Sequence, residues 1–284
     1  NIWDALGTDN AAIAMTRTSA LSGIESTICA LKANGSVWCN GSNDSGQLGN
    51  SSTVVEVTVP VRVTGLSGVT SLAGSRNVSA YFCAGTSTGE VWCWGHGYGS
   101  APVKRNTLKP AAAVLPRGPS LSILLADGTL QYGSALVSGV DSSVVDYFGA
   151  TGNTNLSEFL LKTDGTVWAR GKNDRGQFGD GTTSTLATTA WSQVPGLSGV
   201  MAIAPSPDGY PSSGDSICAL RTDGTLWCWG NNEVWHWWLG EPYSTSPTQI
   251  PFVGNSVAEL RAGLLKRKDG TWWRPDTYPG GERH

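Results

Sequence analysis

The chain is poor in charge. Only 14% of its 284 residues are Asp, Glu, Lys or Arg, and the formal net charge is −3. Without a basic surplus to neutralise phosphates, nucleic acid is excluded as the expected partner. No polybasic stretch is present to hold an anionic lipid surface. Long apolar runs are also missing. None approaches the roughly 18–20 residues that span a bilayer, so no membrane insertion is expected. Methionine (2) and histidine (3) are scarce. The sequence opens on Asn1 without a methionine and shows no secretion signal, which reads as a processed or trimmed form.

Glycine (37) and tryptophan (13) are abundant instead. That balance points to an all-β chain of short strands and tight turns. One pattern recurs: an apolar strand, an Asp-Gly or Asn-Gly turn, then a second strand containing Trp. It reads ICALKANGSVWCNG from Ile28, FCAGTSTGEVWCWG from Phe82, FLLKTDGTVWARG from Phe159 and ICALRTDGTLWCWG from Ile217. Two weaker copies start at Ile123 and Leu264. Asp-Gly or Asn-Gly between alternating apolar residues predicts a β-hairpin, because glycine accepts positive φ without steric cost.

Several copies continue alike. The first gives NGSNDSGQLGN, the fourth ARGKNDRGQFGDGTT, the fifth WGNNEVWHWWLGE. The approach to the hairpin repeats as LSGVTSLAGS, SGVDSSVVDY and LSGVMAIAPS. Together these elements resemble the RCC1 repeat over nearly the whole chain, which implies a single β-propeller domain spanning residues 1–284. The six turn glycines, from Gly35 to Gly270, recur at a mean spacing of 47 residues. The 34 residues before Gly35 and the 14 after Gly270 together make about one further repeat. Six blades are therefore expected, closed by terminal segments that share one blade. WDALGTDN (3–10) is the candidate for completing the sixth. Familiar RCC1 propellers have seven blades, so a seventh without a recognisable hairpin is the alternative.

Six cysteines fall in three pairs, Cys29 with Cys39, Cys83 with Cys93, and Cys218 with Cys228, each ten apart. Each pair is placed symmetrically about its turn. Directly opposed residues of an antiparallel pair lie about 4.5–5.5 Å apart at Cα, within disulfide reach. In the fourth copy the two positions are Phe159 and Ala169, so both cysteines are absent together. Three within-hairpin disulfides are expected, and with them an extracytoplasmic setting: secreted, cell-surface or periplasmic.

Signs of catalysis are few. Gly85-Thr86-Ser87-Thr88-Gly89 matches G-x-S-x-G, but a nucleophile elbow needs a helix behind it and this one lies at a hairpin tip. Asp127, Asp164, Asp223 and Asp269 sit in the turns, where turn formation explains them. Asp174 and Asp180 read as loop residues. No enzyme is expected. Six N-x-S sequons (Asn34, Asn40, Asn43, Asn50, Asn77, Asn155) fit the turn composition of a bacterial chain.

Two features exceed what the fold requires. Trp235, His236, Trp237 and Trp238 stand where other copies have the compact G-Q-L-G, and the loop is two residues longer. Aromatic residues are enriched at binding hot spots, so this loop is the expected contact for a protein or carbohydrate ligand. The second feature is Trp94-Gly95-His96. This W-x-H tripeptide with a distant second histidine resembles the site of secreted methanotroph copper-binding proteins, where an oxidised tryptophan joins two histidines. That resemblance implies copper held by His96 and His236 with Trp94. Copies two and five stand opposite in a ring of six, so both loops would have to reach inward. The leading expectation is a monomeric, non-catalytic binding module, with copper binding as the alternative. A nuclear role fits neither the disulfides nor the charge.

Overall fold

The structure is a computed structural model that describes residues 12–17, 27–75, 80–115, 121–149, 157–205, 216–231, 243–261 and 264–273. The chain divides into two compact units, residues 1–142 and 143–284. In the first unit, β1 (Ala12–Arg17), β2 (Ile28–Lys32), β3 (Val37–Ser42) and β4 (Glu56–Arg62) form one sheet. A second contains β5 (Val69–Gly74), β6 (Tyr81–Thr86), β7 (Val91–Gly95) and β8 (Gly99–Arg105). A third contains β9 (Ala111–Leu115), β10 (Ser122–Leu125), β11 (Leu130–Tyr132) and β12 (Ala135–Leu136).

The second unit repeats this plan. Its first sheet joins β13 (Val144–Phe148), β14 (Glu158–Lys162), β15 (Val167–Asn173) and β16 (Ser184–Gln193). The next joins β17 (Val200–Pro205), β18 (Ser216–Arg221), β19 (Leu226–Asn231) and β20 (Tyr243–Gln249). The last holds β21 (Val257–Arg261), β22 (Leu264–Arg267) and β23 (Trp272–Trp273). All six sheets are antiparallel meanders of consecutive strands, as an RCC1-like β-propeller requires. The six sheets among the described residues are compatible with the six expected blades. The expected closing segment, residues 3–10, lies outside the described residues.

Each repeat contributes one of the predicted hairpins, and the turn chemistry explains why. In the fourth, Asp164 Oδ1 accepts from the Thr166 amide at 2.9 Å and from its hydroxyl at 2.6 Å. Asp127–Thr129, Asp223–Thr225 and Asp269–Thr271 repeat the arrangement. Asn34–Ser36 does the same in the first repeat. These bonds hold Asp164, Asp223 and Asp269 below the usual carboxylate range, and at Asp127 the Lys109 ammonium does most of this with Thr129 adding to it. The turn glycine has a second duty. Gly35 has φ +76°, and a Cβ there would lie 3.0 Å from the Gly68 Cα in the next repeat. Its carbonyl accepts from the Val69 amide, and Gly165 and Val200 repeat that joint. The turn therefore closes one hairpin and starts the next sheet.

The strands of the hairpins are buried and the outer strands exposed. All six residues of β6 are buried, whereas eight of the ten in β16 are exposed. In the first unit Leu31, Leu48, Phe82 and Trp94 share one core cluster across two sheets. In the second unit Phe159, Phe178, Ile217 and Trp229 do likewise.

The hairpin registers place Cys29 opposite Cys39, Cys83 opposite Cys93, and Cys218 opposite Cys228. All three pairs are bonded, with Cα atoms 4.1 Å apart. The fourth hairpin has Phe159 opposite Ala169 and is secured one step along. There Arg170 donates to Glu158 Oε2 from Nη2 (2.8 Å) and Nε (3.1 Å). The Tyr147 hydroxyl donates to the same oxygen at 3.2 Å. The Arg170 guanidinium lies 4.5 Å from the centroid of the Trp191 ring.

Two stability experiments follow from these contacts. Replacing Cys83 and Cys93 together by serine should cost about 2–3 kcal/mol or less, since the loop closed is short; the urea midpoint reads this. Arg170→Met leaves a buried carboxylate without its cation and should cost about 3–5 kcal/mol. The double change Glu158→Leu with Arg170→Met should recover much of that loss in the same measurement.

Candidate functional site

The loops that follow the hairpins are the places where a partner would be met. They fall into two kinds. After the first hairpin, residues 43–50 fold around Asn43. Its Oδ1 accepts from the Leu48 amide (3.0 Å), and its Nδ2 donates to the carbonyls of Ser52 and Val54. Gln47 folds back so that its Oε1 accepts from the Ser45 amide at 2.8 Å. This leaves the Gln47 carbonyl for the next repeat, where the Trp94 indole N–H donates to it at 2.9 Å.

The fit is close. Gly49 has φ +64°, and a Cβ there would lie 2.8 Å from the Trp94 ring. At Gly46 a Cβ would lie 2.5 Å from the Ser100 Cα on β8. Ser51 donates its amide to the Ser100 carbonyl at 2.8 Å. G-Q-L-G is thus the inner half of a clasp whose other half is a tryptophan one repeat later.

The second unit builds the same clasp. Asn173 Oδ1 accepts from the Phe178 amide, and Gln177 Oε1 from the Arg175 amide. The Trp229 indole donates to the Gln177 carbonyl at 2.8 Å. The Gly181 amide donates to the Thr245 carbonyl on β20. Asp174 and Asp180 belong to this loop as turn residues. Lys172 pairs with Asp174 at 2.8 Å, and Thr182 caps Asp180.

The clasping tryptophan stands five residues after the turn glycine. That position reads Asn40, Trp94, Gly133, Arg170, Trp229 and Pro275 along the chain. Tryptophan occurs only where the preceding repeat supplies G-Q-L-G or G-Q-F-G. Both halves of the signal are visible in the sequence. Their dependence on each other emerges only from the contacts.

After the second hairpin the loop is different. Gly95 to Gly99 is a tight turn closed by the Tyr98 amide on the Gly95 carbonyl. His96 and Gly97 are exposed, and a Cβ at Gly97 would touch nothing. Tyr98 packs edge-on against Tyr81, with centroids 5.4 Å apart, and Arg105 lies 5.2 Å from the Tyr98 ring centroid. Burial, with Tyr98 and Tyr132 nearby, pushes the Tyr81 phenol well above its usual range. It therefore stays neutral.

Trp94 and His96, expected to act together, are thus separated in role. Trp94 is fully buried and its indole N–H is committed to Gln47. A metal would reach that nitrogen only by breaking the clasp. His96 is exposed. Trp235, His236, Trp237 and Trp238 lie outside the described residues. Among the described residues no three His, Cys, Asp or Glu side chains gather as a metal site. No described helix is long and apolar enough to cross a membrane.

Comparison with known proteins agrees with the repeat pattern. The regulator of chromosome condensation (RCC1) repeat profile matches residues 34–84, and a second profile of that repeat matches 212–234. No curated protein sequence matches the chain. Among solved structures, the chain resembles human WBSCR16 at 18% identity and TM-score 0.61, with 82% of this chain and 66% of that one covered. It resembles Prp20p of Saccharomyces cerevisiae, described with its binding to Gsp1p and histones, at 17% identity and TM-score 0.64. That alignment covers 89% of this chain and 70% of the other. Yeast RCC1 bound to Kap60 gives 17% and 0.61, with 92% and 69% covered. The chain thus spans about two thirds of the length of these structures, and at such identities the likeness is one of fold.

The clasp predicts an asymmetry between neighbouring tryptophans. Trp229→Ala should lower stability by about 3–5 kcal/mol, the range for deleting a buried aromatic. Trp227 is half-buried at the edge of the same cluster, with its indole N–H on the nearby Thr225 hydroxyl at 3.0 Å rather than on a buried carbonyl of the preceding repeat, and should cost less on the same change. Thermal or urea unfolding of the two variants distinguishes them.

Proposed function

We propose that this RCC1-like repeat propeller is an extracytoplasmic, non-catalytic binding module that meets a protein partner through the loops following its second and fifth hairpins. The observation that carries this reading is the division of labour between loops. Those after the first and fourth hairpins are consumed by the clasp: Gln47 and Gln177 are buried, and their carbonyls are taken. The loop after the second hairpin has no clasping tryptophan in the next repeat, where Gly133 stands, and it exposes His96. The fifth repeat is followed by Pro275 at that position, and its loop carries Trp235, His236, Trp237 and Trp238. Loops released from structural duty are where binding residues accumulate on a rigid scaffold.

A protein partner is supported by the fold relatives, since Prp20p is described binding Gsp1p and histones and yeast RCC1 is described bound to Kap60. Those partners do not transfer. A net charge of −3 is unsuited to chromatin. Three buried disulfides suit an oxidising compartment and support a secreted, cell-surface or periplasmic setting. A glycan is the other ligand that an aromatic loop would suit.

The test is a comparison of ligand capture. The wild-type chain and a Trp235→Ala, Trp237→Ala variant are immobilised and exposed to proteins and glycans of the source's extracellular medium. Wild type should retain a ligand that the variant loses by at least tenfold, with the two melting alike. Equal retention by both would remove the loop from binding. Unfolding of the variant would make the loop structural.

A further inference from the structure

The cations nearest Arg105 in the chain are committed. Lys104 bonds Glu90 at 2.5 Å, and Lys109 bonds Asp127. Arg105 is exposed on β8, and its guanidinium has neither a carboxylate nor a hydrogen bond among the described residues. It lies instead over the Tyr98 ring, 5.2 Å from the centroid. A guanidinium over a ring keeps N–H donors open to a planar acceptor.

The tyrosines beside it also lack acceptors. Tyr98 is half-buried and packs edge-on against Tyr81, with centroids 5.4 Å apart. Tyr132, half-buried on β11, also bears on the Tyr81 phenol. None of these three hydroxyls has a hydrogen-bond partner among the described residues. Tyr81 is buried, yet its hydroxyl keeps access to solvent. Burial holds that hydroxyl in its O–H form, as a donor.

The chain itself shows what such a set receives. In the second unit the Arg170 guanidinium lies 4.5 Å from the Trp191 ring centroid, and both it and the Tyr147 hydroxyl donate to the Glu158 carboxylate. An arginine over an aromatic ring, with a phenol O–H beside it, is there completed by an acid of the same chain. At Arg105 a like set stands without the acid. Bonds from such donors to a carboxylate are about twice as strong as neutral ones. A neutral or acidic sugar would bring hydroxyl donors that need acceptors in return. Arg105, Tyr81, Tyr98 and Tyr132 include no carboxylate and no amide, so the set suits a peptide acid better. We propose that the face formed by Tyr98 and Arg105 receives an acidic segment of the protein partner, with an Asp or Glu carboxylate accepting from Arg105 and the tyrosine hydroxyls. This rests on the reading of the loop after the second hairpin as a protein contact, and it adds the chemistry of what that loop receives.

The test is a titration of the intact, oxidised chain, isotope-labelled in its tyrosine rings, with acetyl-tetraglutamate amide followed by NMR. The ring signals of Tyr81, Tyr98 and Tyr132 should shift and saturate, while Tyr243, exposed on β20 in the second unit, stays in place. Arg105→Gln should weaken binding by about tenfold, the loss expected for a charge-assisted bond. Lys104→Gln, which removes an equal charge from the next residue, should change it far less. Acetyl-tetraglutamine amide should produce no saturating shift. The proposal is overturned if the glutamate peptide fails to bind, or if the glutamine peptide binds equally. It is also overturned if Lys104→Gln matches Arg105→Gln, since attraction would then be to the general field of the surface. Tighter binding of tetragalacturonate than of the glutamate peptide would assign the site to an acidic glycan and end the peptide reading. The titration needs no partner, so it separates from the capture experiment. A failed titration with capture intact removes only the acidic site, and failed capture with a positive titration removes only the aromatic loop.

Discussion

Two indole N–H groups connect neighbouring repeats at their most demanding point. A backbone carbonyl removed from water must find a donor, and the Gln47 and Gln177 carbonyls find theirs in Trp94 and Trp229. The loop that offers the carbonyl is itself costly to shape. It needs an asparagine to gather the amide of Leu48 or Phe178, a glutamine folded onto its own loop, and glycines at positive φ where a Cβ would strike the next repeat. None of this is useful without the tryptophan, and the tryptophan would have no buried acceptor without the loop. That mutual need explains why both halves are present or absent together along the chain.

Within a repeat the problem is different, because the hairpin already has its register from the turn. An Asp-Gly-Thr, Asn-Gly-Ser or Thr-Gly-Glu turn fixes which residues oppose one another, and three repeats then fix the same opposition covalently. The fourth repeat shows that the covalent link is one solution among others. Phe159 fills the position with apolar volume, and the neighbouring pair supplies a buried ion pair with Tyr147 and Trp191 around it. Removing one partner of such a pair costs far more than replacing both, and this one joins the opposed residues 158 and 170 of the hairpin.

Much of this architecture was legible in the sequence. Asp-Gly or Asn-Gly dipeptides announced five of the hairpins and the repeat pattern around Thr88-Gly89 the other, the spacing of the cysteines matched the register that pairs them, and the recurrence of 47 residues matched six sheets among the described residues. These signals are local, or repeat, so they survive without knowledge of what touches what. The clasp was less legible because it joins residues about 50 positions apart. Trp94 illustrates the cost. Read with its neighbour it formed a W-x-H tripeptide pointing to metal. Read with Gln47 it is a core residue.

The repeats also have a longer period than one blade. The first and fourth carry the G-Q-L/F-G loop, the second and fifth carry the clasping tryptophan, and the third and sixth carry neither. This three-repeat period coincides with the division into residues 1–142 and 143–284. Each unit thus contains one clasp, and its two other repeats carry no G-Q-L/F-G loop. The arrangement separates two selective pressures. Substitutions in residues 43–50 or 173–181 act on stability, because buried amides and carbonyls depend on them. Residues 96–99 serve no clasp: His96 is exposed and the space beside Gly97 is open, while the His96 amide, Tyr98 and the positive φ of Gly97 hold their own repeat. The corresponding stretch of the fifth repeat has changed most, gaining length, three tryptophans and a histidine. A scaffold that secures its order through every third loop leaves the remaining loops able to vary in length and chemistry while the sheets beneath them stay the same.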